Sequence, residues 1–130
     1  MKRTPDIEFA CDERLWRRVG AKEVVADRVR SNSLRLQISV VREKYGDIKN
    51  VPLEERNGVA EIDAQTACNI GTARNVRAVC VDEPSLREPG HALIALVAAP
   101  GLEVSQNDNN DARAALARHM KIRVKPQRIR

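Results

Sequence analysis

The longest apolar run in the chain lies between Pro89-Gly90 and Pro100-Gly101, where Ala92, Leu93, Ile94, Ala95, Leu96, Val97, Ala98 and Ala99 follow one another without a polar residue. Apolar residues on both faces predict a fully buried central strand, with a short buried helix as the alternative. Proline and glycine at both ends favour the strand. The run is too short for a bilayer core, which takes about 20 apolar residues. The second clear pattern is strict alternation. Leu34, Leu36, Ile38 and Val40 stand against Arg35, Gln37 and Ser39, which predicts a half-buried antiparallel strand over 34–41 with all four apolar side chains in the core. Residues 76–81, apolar on both faces, predict a further strand, and 23–26 and 59–62 predict short ones. Over 14–19 two periods compete: Leu15, Trp16 and Val19 suit one helical turn, whereas Leu15, Arg17 and Val19 alternate as in a strand.

Helical periodicity is confined to short stretches. Asp63 is placed to cap a helix over 64–70 that Gly71 closes. Pro52 suits a first helical position, with Gly58 as the stop. The best helix covers 112–121, where Ala112, Ala115, Leu116, His119 and Met120 recur at i, i+3, i+4, i+7 and i+8 after the capping residues Asn107–Asp111. Ile122 and Val124 then alternate with Arg123 and Lys125 up to Pro126, an edge strand over 122–125. Together these elements predict an α+β fold. Residues 14–126 form a single compact domain, with a mostly antiparallel sheet and two or three short helices on one face. Residues 1–13 are a partly ordered arm, and 127–130 a basic tail.

A chain of 130 residues is enough for one domain with a core of its own. Phe9, Trp16 and Tyr45 are its only aromatics, so Ala, Val, Leu and Ile fill that core, and few rings are left to stack the bases of a single strand. Charge is unevenly spread: the balance is +4 over residues 1–42, −6 over 43–111 and +7 over 112–130. The basic end suits phosphates, an acidic partner protein, or the chain's own acidic middle. Cys11, Cys68 and Cys80 are widely spaced and contain no CxxC pair, which predicts neither a disulfide framework nor a metal site in a reducing cytosol; Cys68, on the apolar side of a short helix, and Cys80, inside an apolar strand, read as small buried hydrophobes. The opening MKRTPDIEFACDE lacks the apolar core of a secretory signal. A cytoplasmic location without a membrane is expected.

The candidate catalytic residue is His91, set between Pro89-Gly90 and the apolar run, where a ring can point into a cleft and move a proton. Its structural alternative is a ring bonded to backbone that closes the preceding loop. The candidate binding residues fall in two clusters. Arg17, Arg18, Arg28, Arg30, Ser31, Ser33 and Arg35 combine guanidinium groups with hydroxyls that can grip a phosphate. Arg113, Arg118, Lys121, Arg123 and Lys125, continued by Arg128 and Arg130, form a basic end whose phosphate contacts would be steeply salt-dependent. No glycine-rich phosphate loop, GxSxG elbow or HExxH is present, so no cofactor is predicted.

Several fragments, taken in order, resemble a group of short bacterial hypothetical proteins. They are Leu15-Trp16-Arg17-Arg18-Val19, Ser31-Asn32-Ser33-Leu34, Ile38-Ser39-Val40, Pro84 with Pro89-Gly90-His91-Ala92, and Ala112-Arg113 with Leu116-Ala117 and Pro126. Members of that group read RR(I/V), SSxAF, (L/I)SV, DPxPxNPxHA and an Ala/Arg-rich final helix. This chain departs from them at Asn32 and Leu34, and in having Pro89-Gly90 where the group has Asn-Pro. The resemblance implies a bacterial, cytosolic, single-domain protein and assigns no activity. Three functions are open to such a chain: a non-catalytic accessory protein that binds a partner protein, a sequence-tolerant nucleic-acid binder using the basic C-terminal segment, and a small enzyme with a pocket centred on His91.

Overall fold

The computed structural model describes residues 2–46, 48, 57–70, 76–98, 100, 101, 103 and 106–126. Its strands are β1 (Arg14–Val19), β2 (Val24–Val25), β3 (Arg28–Val29), β4 (Gln37–Arg42), β5 (Gly58–Asp63), β6 (Val76–Asp82), β7 (His91–Ala98) and β8 (Lys121–Val124). The helices are α1 (Ala64–Cys68) and α2 (Gln106–His119). Six strands make one antiparallel sheet in the order β6-β7-β4-β1-β5-β8, and β2-β3 is a separate hairpin. The fold is α+β, as the patterning predicts. No helix among the described residues is long and apolar enough to cross a membrane.

Residues 14–19 resolve as a strand because both their faces are used. Leu15 and Val19 enter the main core, while Trp16 packs with Val59 on the opposite face. β1 and β4 are the central strands. The apolar run forms β7, which lies between β4 and the edge strand β6 rather than at the sheet's centre. The main core brings Ile38 and Val40 of β4 and Ala92, Ile94 and Leu96 of β7 together with Ala64 and Ala67 of α1 and Ala112 and Leu116 of α2. Small side chains on both layers let helix and sheet approach closely, so a core nearly without aromatics still closes.

Four expectations are corrected. The alternation of 34–40 is broken by a bend at Leu36, which is 45% exposed, while Leu34 and Ile38 on either side are buried. The Leu36 backbone still joins the ladder, accepting from the Leu96 N–H at 2.8 Å. Residues 107–111 lie inside α2 rather than capping it, since the helix begins at Gln106. Gly58 is the first residue of β5 and no helix stop; a Cβ there would lie 2.2 Å from the Val124 carbonyl oxygen and 2.6 Å from the Pro126 nitrogen, so only glycine lets β8 cross so closely. The helix begun at Asp63 ends at Cys68, not Ile70. Its cap is as expected: Asp63 accepts from the Thr66 N–H at 2.7 Å and from the Thr66 hydroxyl at 2.8 Å. Gly71, the helical turn expected from Pro52, and Arg128 and Arg130 lie outside the described residues.

Candidate functional site

His91 opens β7 and holds the loop before it. A carbonyl only accepts, so the 2.9 Å contact between Nδ1 and the Glu83 carbonyl oxygen places a proton on Nδ1. The His91 backbone N–H donates to Glu88, and its carbonyl accepts from the Glu83 N–H, each at 3.0 Å. The ring thus closes residues 83–91, as the structural alternative had it. Beside it lies a concavity of about 30 Å³ lined by Trp16, Arg18, Ser39, Val41 and Glu88, roughly the room of one water molecule. Arg18 shares that concavity. Arg17 and Ser33 do not: Arg17 turns to the other side of β1 and pairs with Glu23 at 3.2 Å, and the Ser33 hydroxyl donates to the Arg30 carbonyl at 2.7 Å.

The other predicted binding residues are divided in the same way. Arg30 donates to the Lys22 carbonyl at 3.3 Å, and Arg113 ties α2 to the Leu34 carbonyl at 2.9 Å. Arg123 meets Glu61 at 3.3 Å and Lys125 meets Asp27 at 3.4 Å. Ser31 is half-buried in a short 3-10 turn, where its carbonyl accepts from Leu34. Arg28, Arg35, Arg118 and Lys121 are exposed. Much of the basic set is therefore spent on intramolecular contacts, and Arg18 stands on the opposite side of the sheet from Arg17.

The sheet face turned away from the helices is the larger feature. Pairing across the strands aligns Ser39 with Leu93, Gln37 with Ala95, Val81 with Leu93, Val79 with Ala95 and Arg77 with Val97. Neither helix contributes to this face; its own small cluster is Trp16 and Val59 with Val41 and Ile48. Val79, Leu93 and Val97 are half-buried, Val81 is 42% exposed, and Arg18 and Arg77 are exposed. The result is an apolar field on β6 and β7, bordered by Arg77 on one side and by Arg18 and Ser39 on the other. The Trp16 indole donates to Glu61 at 2.9 Å, which fixes the ring beside that field.

One end of the sheet holds an ionic cluster that the patterning missed. Arg42 faces the core side of β4 yet is fully buried. Its Nε and Nη2 donate to the two Glu13 oxygens at 2.7 and 2.9 Å, Nη1 donates to the Asp6 carbonyl at 2.9 Å, and Nη2 also to the Glu8 carbonyl at 2.7 Å. Asp82 lies 3.4 Å away, and the guanidinium stacks on Phe9 at 3.8 Å. Arg3 grips Asp82 at 2.6 and 2.9 Å and stacks on Tyr45 at 3.4 Å. Burial alone would raise the Asp82 pKa, but the Arg3 bonds, the Asp6 N–H and the charges of Arg3 and Arg42 outweigh it and hold Asp82 below the ordinary carboxylate range. Asp6 is held lower still, by hydrogen bonds from Lys44, Tyr45 and the Glu8 N–H. Burial likewise opposes the Arg42 charge, and the Glu13 bond with the Glu13 and Asp82 charges overcomes it. Every guanidinium nitrogen of Arg42 has an oxygen partner, so the cluster is a clamp on residues 3–13 rather than a site with an open position. The signal for it was Arg42 itself, two residues after Val40 on the core face of an alternating strand.

Among the described residues no group of three or more His, Cys, Asp and Glu is arranged to hold a metal ion. No protein-family model matches the chain, and neither a curated protein nor a solved structure matches it.

Proposed function

We propose that the protein is a non-catalytic, cytoplasmic accessory module that binds a partner protein through the sheet face opposite its helices. The observation that carries this reading is the apolar field of Val79, Val81, Leu93 and Val97, which neither helix covers. Apolar area exposed in a contiguous patch and rimmed by polar groups is characteristic of interaction surfaces. Its rim is cationic, at Arg18 and Arg77, so the occupant that fits is a protein segment with apolar residues flanked by carboxylates. His91 is consistent with the same reading, since its ring is committed to closing the loop before β7.

The test places a photo-crosslinking residue at position 81 or 97 on this face, and at the exposed Arg118 of α2 as a control, followed by irradiation in cells and nuclease treatment. Protein adducts at 81 and 97 that are absent at 118, and that disappear with Arg18→Glu/Arg77→Glu, support the proposal. Adducts only to nucleic acid favour the basic-segment reading. Equal labelling at all three positions overturns the docking face.

A further inference from the structure

We infer that Cys68 and Cys80 form a thiol–disulfide pair, an oxidation site open to low-molecular-weight disulfides of the glutathione type. Cys68 is the last residue of α1 and is exposed; Cys80 sits in the edge strand β6 on its core side, half-buried against the main core. The chain brings them together from twelve residues apart, and their Sγ atoms are 3.3 Å from one another. That geometry needs only a small side-chain adjustment to reach a bonded pair, with no movement of either element past the other. Burial and the neighbouring Cys68 sulfur both hold the Cys80 thiol in its protonated form. The pair therefore divides into an accessible sulfur that reacts first and a sheltered one that resolves it.

The chemistry runs in two exchanges. The Cys68 thiolate attacks one sulfur of the disulfide; a Cys68–glutathione bond forms, the glutathione disulfide breaks, and one glutathione thiolate leaves and takes a proton. The Cys80 sulfur then attacks Cys68 as its proton passes to solvent, the mixed disulfide breaks, and a second glutathione leaves. Two protein thiols are oxidised and one glutathione disulfide is reduced to two thiols. The bond formed would join the end of α1 to the edge strand of the sheet, between Val79 and Val81 on the face opposite the helices, and excess reduced glutathione would reverse it.

The sequence makes the test clean, because trypsin places Cys11, Cys68 and Cys80 on three separate peptides, 4–14, 57–74 and 78–87. The full chain is incubated with oxidised glutathione, alkylated, and mapped by mass. The expected result is a cross-linked 57–74/78–87 pair with a mass loss of about 2 Da, Cys11 either free or carrying glutathione but in no protein disulfide, and full reversal by reduced glutathione. Cys80→Ser should stop at the first exchange, with a stable glutathione adduct of about 305 Da on Cys68. Cys68→Ser should leave Cys80 reduced and alkylatable only after unfolding, and each variant's native dichroism and urea midpoint should show that it folds. A protein disulfide involving Cys11, a disulfide between two chains, or free Cys68 and Cys80 after incubation would each overturn the assignment.

Discussion

Replacing Arg42 with methionine tests what the ionic cluster contributes. Methionine keeps an unbranched apolar stem in the same volume but removes every guanidinium donor. Two carboxylates are left behind in a place that water does not reach: the Glu13 and Asp82 side chains are 4% and 1% exposed. Asp82 keeps Arg3, which holds both its oxygens. Among the described residues Glu13 has no second cation of that kind, and both its oxygens are bonded to Arg42. Breaking one side of a buried pair costs about 3–5 kcal/mol, against a total of about 5–15 kcal/mol for a domain of this kind. The loss should therefore be visible as a large fall in the urea midpoint. Trp16 is the only tryptophan and is buried in the neighbouring central strand, so its fluorescence reports unfolding at the right place, with far-ultraviolet dichroism as the second probe. Adding Glu13→Gln to Arg42→Met should restore at least about 1 kcal/mol, because the stranded charge, and not the missing contact, carries most of the cost. A deficit below about 1 kcal/mol for the single variant would refute the reasoning: it would mean that Glu13 reaches water on its own and that the clamp is a surface feature.

Three further outcomes follow from the structure. Ile38→Ala should cost about 2–5 kcal/mol in the same urea assay, whereas Leu36→Ala, at a side chain that is 45% exposed, should cost less than about 0.5 kcal/mol; equal losses would restore Leu36 to the core. Gly58→Ala should cost about 1–3 kcal/mol by forcing β8 away from β5, and hydrogen exchange should rise in 121–124 before anywhere else in the sheet; unchanged exchange there would show that the close approach to Val124 is relieved elsewhere. Asp82 and Asp6 have depressed pKa values in the folded state, so the stability they contribute is fully present above the unfolded value of about 3.9 and is lost as pH falls through the folded ones. The thermal midpoint should drop steeply below about pH 4, and Asp82→Asn, with no proton to take up, should lower the midpoint at neutral pH and flatten that acid limb. Parallel acid limbs for the two proteins would remove Asp82 from the linkage.

The strands around 37–42, 76–82 and 91–98 and the apolar face of α2 were legible because apolar period marks them locally, whereas their order in the sheet was not. Ile38 and Val40 alternate with polar neighbours, and Ala112, Ala115 and Leu116 recur on one helical face, whatever lies far away in the chain. Leu36 was misread for the same reason: alternation continues through it in sequence, and the bend that turns it outward follows from Leu34 dropping into the core beside the 3-10 turn of 31–33. Gly58 was misread because a glycine before a strand and a glycine after a helix look alike until β8 is brought across it. The contacts of the basic segment were hidden on a different scale. Arg113, Arg123 and Lys125 belong to one basic segment of the sequence, but their partners are the Leu34 carbonyl, Glu61 and Asp27, at separations that no local pattern encodes. The Cys68–Cys80 contact escaped for lack of a short spacing, since the partners come from a helix end and a strand.

The cluster around Arg42 bears on the sheet's register as much as on its stability. A one-residue slip of β4 against its neighbours would exchange the two faces of the strand. Val41 would then turn toward the helices and Arg42 toward the opposite face, beside Trp16. Hydrophobic patterning penalises that slip only weakly here, because both faces of β4 near its end carry apolar neighbours: Val40 and Ala92 on one side, Val41 and Trp16 on the other. The slip is excluded by charge instead. Glu13 and the Asp6 and Glu8 carbonyls find their donor only when Arg42 points to the core side. A buried ion pair adds little net stability over an apolar replacement, and its best-attested use is to select one arrangement over another. The Arg42→Met/Glu13→Gln variant separates these roles. Recovered stability with doubled amide resonances along 37–42 would assign register to the cluster, and a single sharp set would leave it with stability alone.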